Sequence, residues 1–352
     1  MDLQKIHQIL SLYPSLPFQE LSSINALGNG LIHDTYRITT ADGGYVLQAY
    51  NQSVFPFPER IANNLGILIR EKVNDQLPFV LPLPLLNLEG KQLTEVEGKS
   101  WRIFEFVEGN TLEQITALDQ AKNAAFAFAK FSLAGAQLDM AAFQETIPDF
   151  HRLDLRYEKF LQEAGKAQNL DEEEQSILLF YVNQKPLIEA YKEFAQKLPV
   201  RLTHSDTKIN NLIFSKDLSK VEALIDLDTV MPGFLMYDFG DMVRTVACSV
   251  PETDTQWEKL CLEEKVFEQL LEGYWSGLKS MATSEEKESL LLAGEVMTCM
   301  MGLRFFTDHL MGNVYYRVQY PEQNLHRAKN QMIYLRDLQQ KRGTLKALIE
   351  QI

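Results

Sequence analysis

Cysteine is scarce in this chain. Cys248, Cys261 and Cys299 are widely spaced, odd in number and outside any C-x-x-C pattern. That argues against a disulfide framework or a zinc site and leaves free thiols, as in a reducing cytoplasm, as the expectation. Basic residues are also in deficit: 34 Lys and Arg stand against 48 Asp and Glu, a net charge of −14. A nucleic-acid partner needs clustered Lys and Arg, so none is expected. The same balance favours solubility and would suit a cationic ligand. The most apolar late stretch, Leu290 to Leu303, is broken by Glu295 and is too short to span a bilayer, so no membrane partner is expected. The first residues, Met1 to Gln8, lack the basic and apolar regions of a signal peptide. The expected location is therefore cytoplasmic. Low-complexity tracts and repeats are missing too, and 352 residues suit two subdomains better than one core.

What is present centres on Leu202 to Phe214, followed by Ala223 to Thr229. His204, Asp206 and Asn211 stand in the order H-x-D-x-x-x-x-N, and Asp226 closes an apolar run soon after. Phosphoryl transfer asks for positioning and charge neutralisation more than covalent chemistry. Asp206 is the candidate carboxylate beside an acceptor hydroxyl. Magnesium prefers hard oxygen ligands, which Asn211 and Asp226 supply. Lys208, two residues after Asp206, is a candidate to reach a transferring phosphate. Asn211–Phe214 and Val221–Ile225 read as a hairpin that delivers Asp226. Asp228 reads either as a second metal ligand or as a loop cap. His204 reads as a structural hydrogen-bonder, and Asp238 and Asp241 as braces for the loop.

The first third of the chain reads as strands. A short amphipathic helix over 2–12 precedes two strands within Ile24 to Thr40, around Gly28-Asn29-Gly30, and a third over Tyr45 to Tyr50. Two glycines before a strand pair permit close backbone approach to phosphates. Glu59 to Lys72 reads as a helix, and Phe79 to Leu86 and Lys99 to Phe106 as strands flanking a turn at 87–90. Glu105-Phe-Val-Glu-Gly109 then crosses into a helical region, and the backbone of Glu105 and Val107 is the candidate reader of an adenine edge. From Leu118 the periodicity is helical, with helices over 118–138, 171–197, 257–279, 284–310 and 323–350. Arg304 and Asp308 lie one turn apart, where an ion pair would explain both.

These motifs resemble the aminoglycoside phosphotransferase and choline kinase superfamily, a branch of the protein-kinase-like fold. Within it the chain looks most like the N-acetylhexosamine 1-kinases. The matching segments include Gly28–Arg37, Val46–Phe55, His204–Asn211, Ile225–Gly233, Tyr237–Asp241, Gly302–His309 and Val314–Arg317, so the likeness spans about residues 24–335. It implies Asp206 as base and Asn211 and Asp226 as Mg2+ ligands. It also implies ATP as phosphoryl donor and transfer to the anomeric hydroxyl of GlcNAc or GalNAc. Arg304 and Tyr315 would reach into the sugar pocket, His33 would close it, and Asp308 would orient Arg304. Ser205 stands where many members carry Gly. Gln48 stands where kinase-like enzymes carry the strand Lys that pairs the α- and β-phosphates, and Arg37 is a candidate replacement cation.

The expected fold is α+β and protein-kinase-like, in two lobes. Residues 1–107 would form a small antiparallel-sheet nucleotide lobe, and residues 108–352 a larger, mostly helical catalytic and substrate lobe. The partners expected are ATP, Mg2+ and a small-molecule sugar. Two alternatives stay open: a kinase of the same superfamily acting on an aminoglycoside, choline or another sugar, and a nucleotide-binding regulator without turnover.

Overall fold

The computed structural model of the chain describes residues 3–14, 16, 23–27, 33–40, 43–52 and 55–352. The expected phosphate loop, Gly28, Asn29 and Gly30, lies outside them. The chain divides into two compact units. One is built from Met1–Asn110, Ala141–Ile147 and Ile213–Val230. The other is built from Thr111–Met140, Pro148–Leu212 and Met231–Ile352.

The first unit is organised on an antiparallel sheet. Its strands are β1 (Ser23–Ala26), β2 (Asp34–Thr40), β3 (Gly43–Ala49), β4 (Thr94–Val96) and β5 (Lys99–Glu105), in the order β1-β2-β3-β5-β4. Helix α1 (Leu3–Leu10) lays Ile6, Ile9 and Leu10 on one face of it, against Ile38, Leu47, Val96, Trp101 and Ile103. That spacing is the apolar stripe of an amphipathic helix, and burying it is the main reason so short a helix persists. Helix α2 (Pro58–Arg70) carries the buried Asn64. Its amide donates to the Gln144 and Val230 carbonyls and accepts the Gln144 N–H, tying three separate segments together.

The strand expected over Phe79 to Leu86 does not form. Pro82 and Pro84 remove two ladder donors. Val80 instead bridges Ala223 in a second small sheet, made by the hairpin β7 (Leu212–Phe214) and β8 (Val221–Leu224). The place beside β5 goes to β4, after the Asn87 side chain has accepted the Glu89 and Lys91 N–H groups in the expected turn.

The second unit is mostly helical: α3 (Leu118–Ala134), α4 (Leu153–Ala164), α5 (Glu172–Val182), α6 (Lys185–Ala195), α7 (Leu235–Val246), α8 (Glu264–Leu278), α9 (Ser284–Leu310) and α10 (Gln323–Glu350). The single helix expected over 171–197 breaks at Asn183 and Gln184, because Pro186 has no N–H to continue the ladder and is accommodated only in the first turn of a new helix, α6. The stretch holding Leu290–Leu303 belongs to a 27-residue helix, long and apolar enough to cross a membrane, but most of it is buried inside the unit. Glu295 is tolerated there because Arg342 on α10 pairs with it at 2.5 Å. Buried tyrosines are similarly satisfied: Tyr181, Tyr274 and Tyr334 each donate to a main-chain carbonyl. Two short strands, β6 (Arg201–Thr203) and β9 (Met231–Gly233), pair antiparallel within this helical unit. Thus the antiparallel sheet and the helical part anticipated from the sequence are both present, though Cys248 and Cys261 are only half-buried and Cys299 alone is fully buried.

Helices α7 and α9 approach so closely that only glycine fits at position 240. An added Cβ would collide with the Ala293 carbonyl and come within 2.7 Å of Met297 Cγ. Gly240→Ala should lower stability by about 1–3 kcal/mol through overpacking. Gly343→Ala, on α10 with nothing within 4 Å, should be neutral or gain up to about 1 kcal/mol. Urea midpoints at constant m-value separate the two, and equal effects would contradict the packing assignment.

Candidate active site

In the helical unit, β6 runs straight into the loop that carries Asp206. Its start is clamped by Arg201, whose Nε donates to Glu286 Oε1 at 2.9 Å and whose second nitrogen donates to Oε2 at 3.0 Å. Glu286 is itself the N3 residue of a capping box with Thr283 that begins α9. The loop is then gripped by a fully buried carboxylate. Asp238, in the first turn of α7, accepts the backbone N–H groups of His204 (2.9 Å) and Ser205 (2.8 Å). Ser205 adopts φ +66, the left-handed region that glycine enters freely, which explains why glycine suits this position in the resembling family. Burial pushes the Asp238 carboxyl up to about 7, against the two N–H bonds that favour its ionised form.

Three groups converge on Asp206. Lys208 Nζ lies 2.8 Å from Oδ1, Asn211 Nδ2 donates to Oδ2 at 3.0 Å, and the Asp206 N–H faces His204 Nδ1 at 3.3 Å. Burial works to raise this carboxyl, but the Lys208 charge and hydrogen bond, with help from His204 and Asn211, hold it below the ordinary aspartate value. Asp206 is therefore ionised at neutral pH. The His204 ring is buried edge-on against Phe128 and Phe131 of α3. Asp241 turns to Arg244, whose Nε and a terminal nitrogen both donate to Oδ1 at 2.9 and 2.8 Å, rather than to the loop.

The same unit contains a cavity of about 260 Å³ bounded by α4, α9 and the segment after α9. Arg304 lines it, with its guanidinium 5.2 Å from the Phe150 ring and 5.6 Å from the Tyr315 ring. Asp308 does not pair with Arg304. Its two oxygens accept the Tyr315 and Tyr316 N–H groups at 2.8 and 2.9 Å, and Oδ2 also accepts from Asn324. The carboxylate shapes the tyrosine segment instead of orienting the arginine, because buried N–H groups close by need an acceptor more than an aromatic-walled guanidinium does. His151, which belongs to no recognisable sequence motif, is buried beside Phe150 and Tyr237. Burial, then the Arg304 charge, pushes its imidazole down to about 3, so it is neutral.

In the sheet unit, the residues around Gln48 form one buried network. Arg102, on β5, sits directly across from Gln48 on β3, which sits across from Thr35 on β2. Gln48 Oε1 accepts from Arg102 at 2.8 and 2.5 Å, and its amide donates to Thr35 at 3.2 Å. Arg102 forks onto Asp228 at 2.6 and 2.7 Å. Asp228 Oδ2 also meets His33 Nε2 at 3.0 Å, while His33 Nδ1 accepts the Asn51 N–H at 3.0 Å. That acceptor role assigns the proton to Nε2, so His33 donates to Asp228 and has no ring nitrogen left for a ligand. The expected substrate contact by His33 is thus replaced by support of Asp228. Asp228 itself is fully engaged, its carboxyl held far below the ordinary range: Arg102, the main opposing influence, and then His33 outweigh burial.

Arg37, the expected replacement cation, points elsewhere. It lies over the Phe106 ring at 3.8 Å and pairs with Glu108 at 2.7 Å. Arg102 was the cation that sequence reading missed, although its signal was there: a lone arginine in the apolar strand Lys99-Ser-Trp-Arg-Ile-Phe-Glu105 demands a buried partner. Glu105 ends β5 opposite Tyr45. The Phe106 N–H is taken by Gly44 O at 2.9 Å. Asp226, exposed and left-handed at φ +59, opens the one-turn helix Leu227–Thr229 that buries Asp228. Each candidate donor suits magnesium by its own chemistry: in the helical unit Asn211 spends its amide nitrogen on Asp206 and keeps its oxygen, and in the sheet unit Asp226 is an exposed carboxylate. Among the described residues no cluster of three or more His, Cys, Asp or Glu is poised to hold a metal alone. Magnesium needs none, since it commonly takes one or two protein oxygens and completes its shell with phosphate and water.

A family model described as "Phosphotransferase enzyme family" matches residues 23–264, more than half of the chain. Solved structures share the fold at low identity. An aminoglycoside phosphotransferase from Alicyclobacillus acidocaldarius aligns with a TM-score of 0.65 at 13% identity, covering 97% of this chain and 96% of that one. A choline kinase from Cryptosporidium parvum gives 0.60 at 16% identity over 99% and 98%. A Plasmodium vivax ethanolamine kinase gives 0.58 at 14% identity over 89% and 83%.

Two outcomes follow from the site's electrostatics. Arg102→Met would leave the buried Asp228 charge without its cation and should cost about 3–5 kcal/mol, whereas Arg102→Met with Asp228→Leu should recover much of that loss. Additive losses in urea unfolding would contradict a buried ion pair. His151 protonates near pH 3 when folded and near 6.5 when unfolded, so the unfolded chain binds the extra proton between those values and stability falls with pH across that window. Asp238 acts in the opposite sense there, so the comparison is between parent and variant. His151→Asn should flatten the fall measured from about pH 7.5 to about pH 4.5 relative to the parent, and parallel curves would contradict it.

Proposed function

The chain belongs to the phosphotransferase enzyme family, and from that premise we propose that it transfers the γ-phosphoryl group of ATP to the anomeric hydroxyl of an N-acetylhexosamine, GlcNAc or GalNAc. The observation that carries the acceptor reading is the cavity in which the Arg304 guanidinium and the Tyr315 ring come together. A sugar offers an apolar face to an aromatic ring and hydroxyl and amide oxygens to a guanidinium. Choline and ethanolamine are cationic alcohols, and a wall of Arg156, Lys159 and Arg304 opposes a cation. The net charge of −14 pointed the other way, but the local wall outweighs a global balance that salt screens within about 10 Å.

Each step then has a residue. Asp206, ionised and held by Lys208 and Asn211, orients the acceptor hydroxyl and takes its proton as the oxygen attacks the γ-phosphorus. The new P–O bond forms as the bond to the bridging oxygen of ADP breaks. Lys208 stands beside Asp206 to offset charge on the transferred group. Magnesium, when bound, neutralises the phosphates, and Asn211 and Asp226 would hold it. The backbone of Glu105 and Val107 reads adenine. Arg102 spends its charge on Asp228 and so steadies the segment that carries Asp226, rather than meeting phosphate itself. A regulator without turnover rests on Gln48 alone, whereas the arrangement of Lys208 and Asn211 on Asp206 favours turnover.

Asp206→Asn should retain ATP binding and lose turnover by about 10²-fold or more. The wild-type protein, given ATP and magnesium with GlcNAc, GalNAc, glucose, choline and kanamycin, should yield a hexosamine 1-phosphate by phosphorus NMR. Turnover of choline or kanamycin in its place would overturn the acceptor assignment.

A further inference from the structure

The cavity at Arg304 holds more positive charge than a neutral sugar uses. Arg156, on α4, lines the same cavity as Arg304. Neither guanidinium has a carboxylate partner among the described residues. Arg304 donates only to Met301 Sδ at 3.5 Å, and Arg156 only to the Asp149 and Phe150 carbonyls at 3.0 and 3.4 Å. Lys159 also faces the cavity, and its own partner is Glu163 at 2.6 Å. The one carboxylate in the lining, Asp308, has both oxygens committed to backbone N–H groups.

Polar atoms around the cavity are orphaned as well. Arg156 Nε, Thr307 Oγ1 and Tyr316 Oη are all buried without a hydrogen-bond partner. Buried polar groups are normally satisfied, and each exception asks for a reason. Elsewhere in this unit buried arginines are paired: Arg244 with Asp241 and Glu252, Arg327 with Glu252. The two unpaired guanidiniums also repel each other. Burial, then the Arg304 charge, lowers the Arg156 value from that of a free arginine. Two half-buried cations and a set of spare donors facing one space are what an anion would satisfy.

We propose that this cavity binds an acidic group, carboxylate or phosphate, carried by the acceptor, with Arg156 and Arg304 as its cationic clamp and Thr307 and Tyr316 as further donors. The preferred acceptor is then an acidic hexosamine derivative rather than the neutral sugar. This rests on the reading of the cavity as the acceptor site and names the acceptor class more narrowly. Arg156 becomes the residue that sets specificity.

The test compares kcat/KM for GlcNAc, GlcNAc 6-phosphate and the uronic acid of GlcNAc in the wild type, Arg156→Gln and Arg156→Lys. The expected result is an acidic derivative preferred by about tenfold or more in the wild type, since a charge-paired group is worth that much when desolvated. The preference should collapse toward unity in Arg156→Gln and fall less in Arg156→Lys. The phosphate and carboxylate arms identify which acid fits. A wild type that prefers the neutral sugar, or a preference unchanged in Arg156→Gln, overturns the proposal. If no hexosamine is phosphorylated, the proposed function fails separately. Calorimetric titration with glucose 6-phosphate and glucuronate then decides: binding lost in Arg156→Gln supports the acid site, and no binding overturns it.

Discussion

One buried ion pair, Arg102 with Asp228, sets the arrangement of the sheet unit's chemistry. Both groups are removed from water, and that desolvation is offset by a bidentate fork and by the His33 hydrogen bond to Asp228 Oδ2. The pair draws in Gln48 and Thr35 across two strands and His33 and Asn51 from the segment beside them. It also divides the labour of the I-D-L-D run. Asp228 is locked inward as a counter-ion, and the left-handed Asp226 two positions earlier is exposed. Two aspartates of the same motif thus acquire opposite environments from a single turn of 3-10 helix.

The helical unit follows the same logic with a different carboxylate. Asp238 accepts two consecutive backbone N–H groups and so holds a non-glycine residue in left-handed geometry just before Asp206. Strain of that kind persists only where surrounding bonds over-determine it. The contrast with the cavity is instructive. Tyr181, Tyr274 and Tyr334 are buried deep in the unit and each has a carbonyl to donate to. Tyr316 and Thr307 are buried at the cavity and have nothing. The cavity thus gathers several unsatisfied polar atoms in one place, whereas these three deep tyrosines are each satisfied.

The fold class was legible because period-two and helical patterning occupy different thirds of the chain, and the loop around Asp206 was legible because its side chains sit at fixed short spacings. Segments with strong local punctuation were misread when the punctuation was proline. The prolines at 82 and 84 abolished a strand, and Pro186 split a helix. Side-chain partnerships between distant segments were beyond reach. Asp308 lies one turn from Arg304, and helix spacing alone favours their pairing; the tyrosine N–H groups that capture it come from a loop whose path no local pattern specifies. Arg102 and Asp228 are 126 residues apart. Only the strand register, which aligns Gln48 with Arg102, makes that network visible.

Each unit is woven from three separated stretches of chain, and that has a consequence for how the protein is made. The sheet unit needs Ile213–Val230, which includes Asp228, the counter-ion of Arg102. A nascent chain whose first 110 residues have left the ribosome therefore carries a buried-type arginine, Arg102, with no acid to meet it. The unit cannot close on itself until synthesis has run through the loop that bears Asp206 and into the hairpin beyond. Translation delivers the N-terminal sheet early, yet its completion waits until Val230 is made, after much of the helical unit's sequence has already appeared.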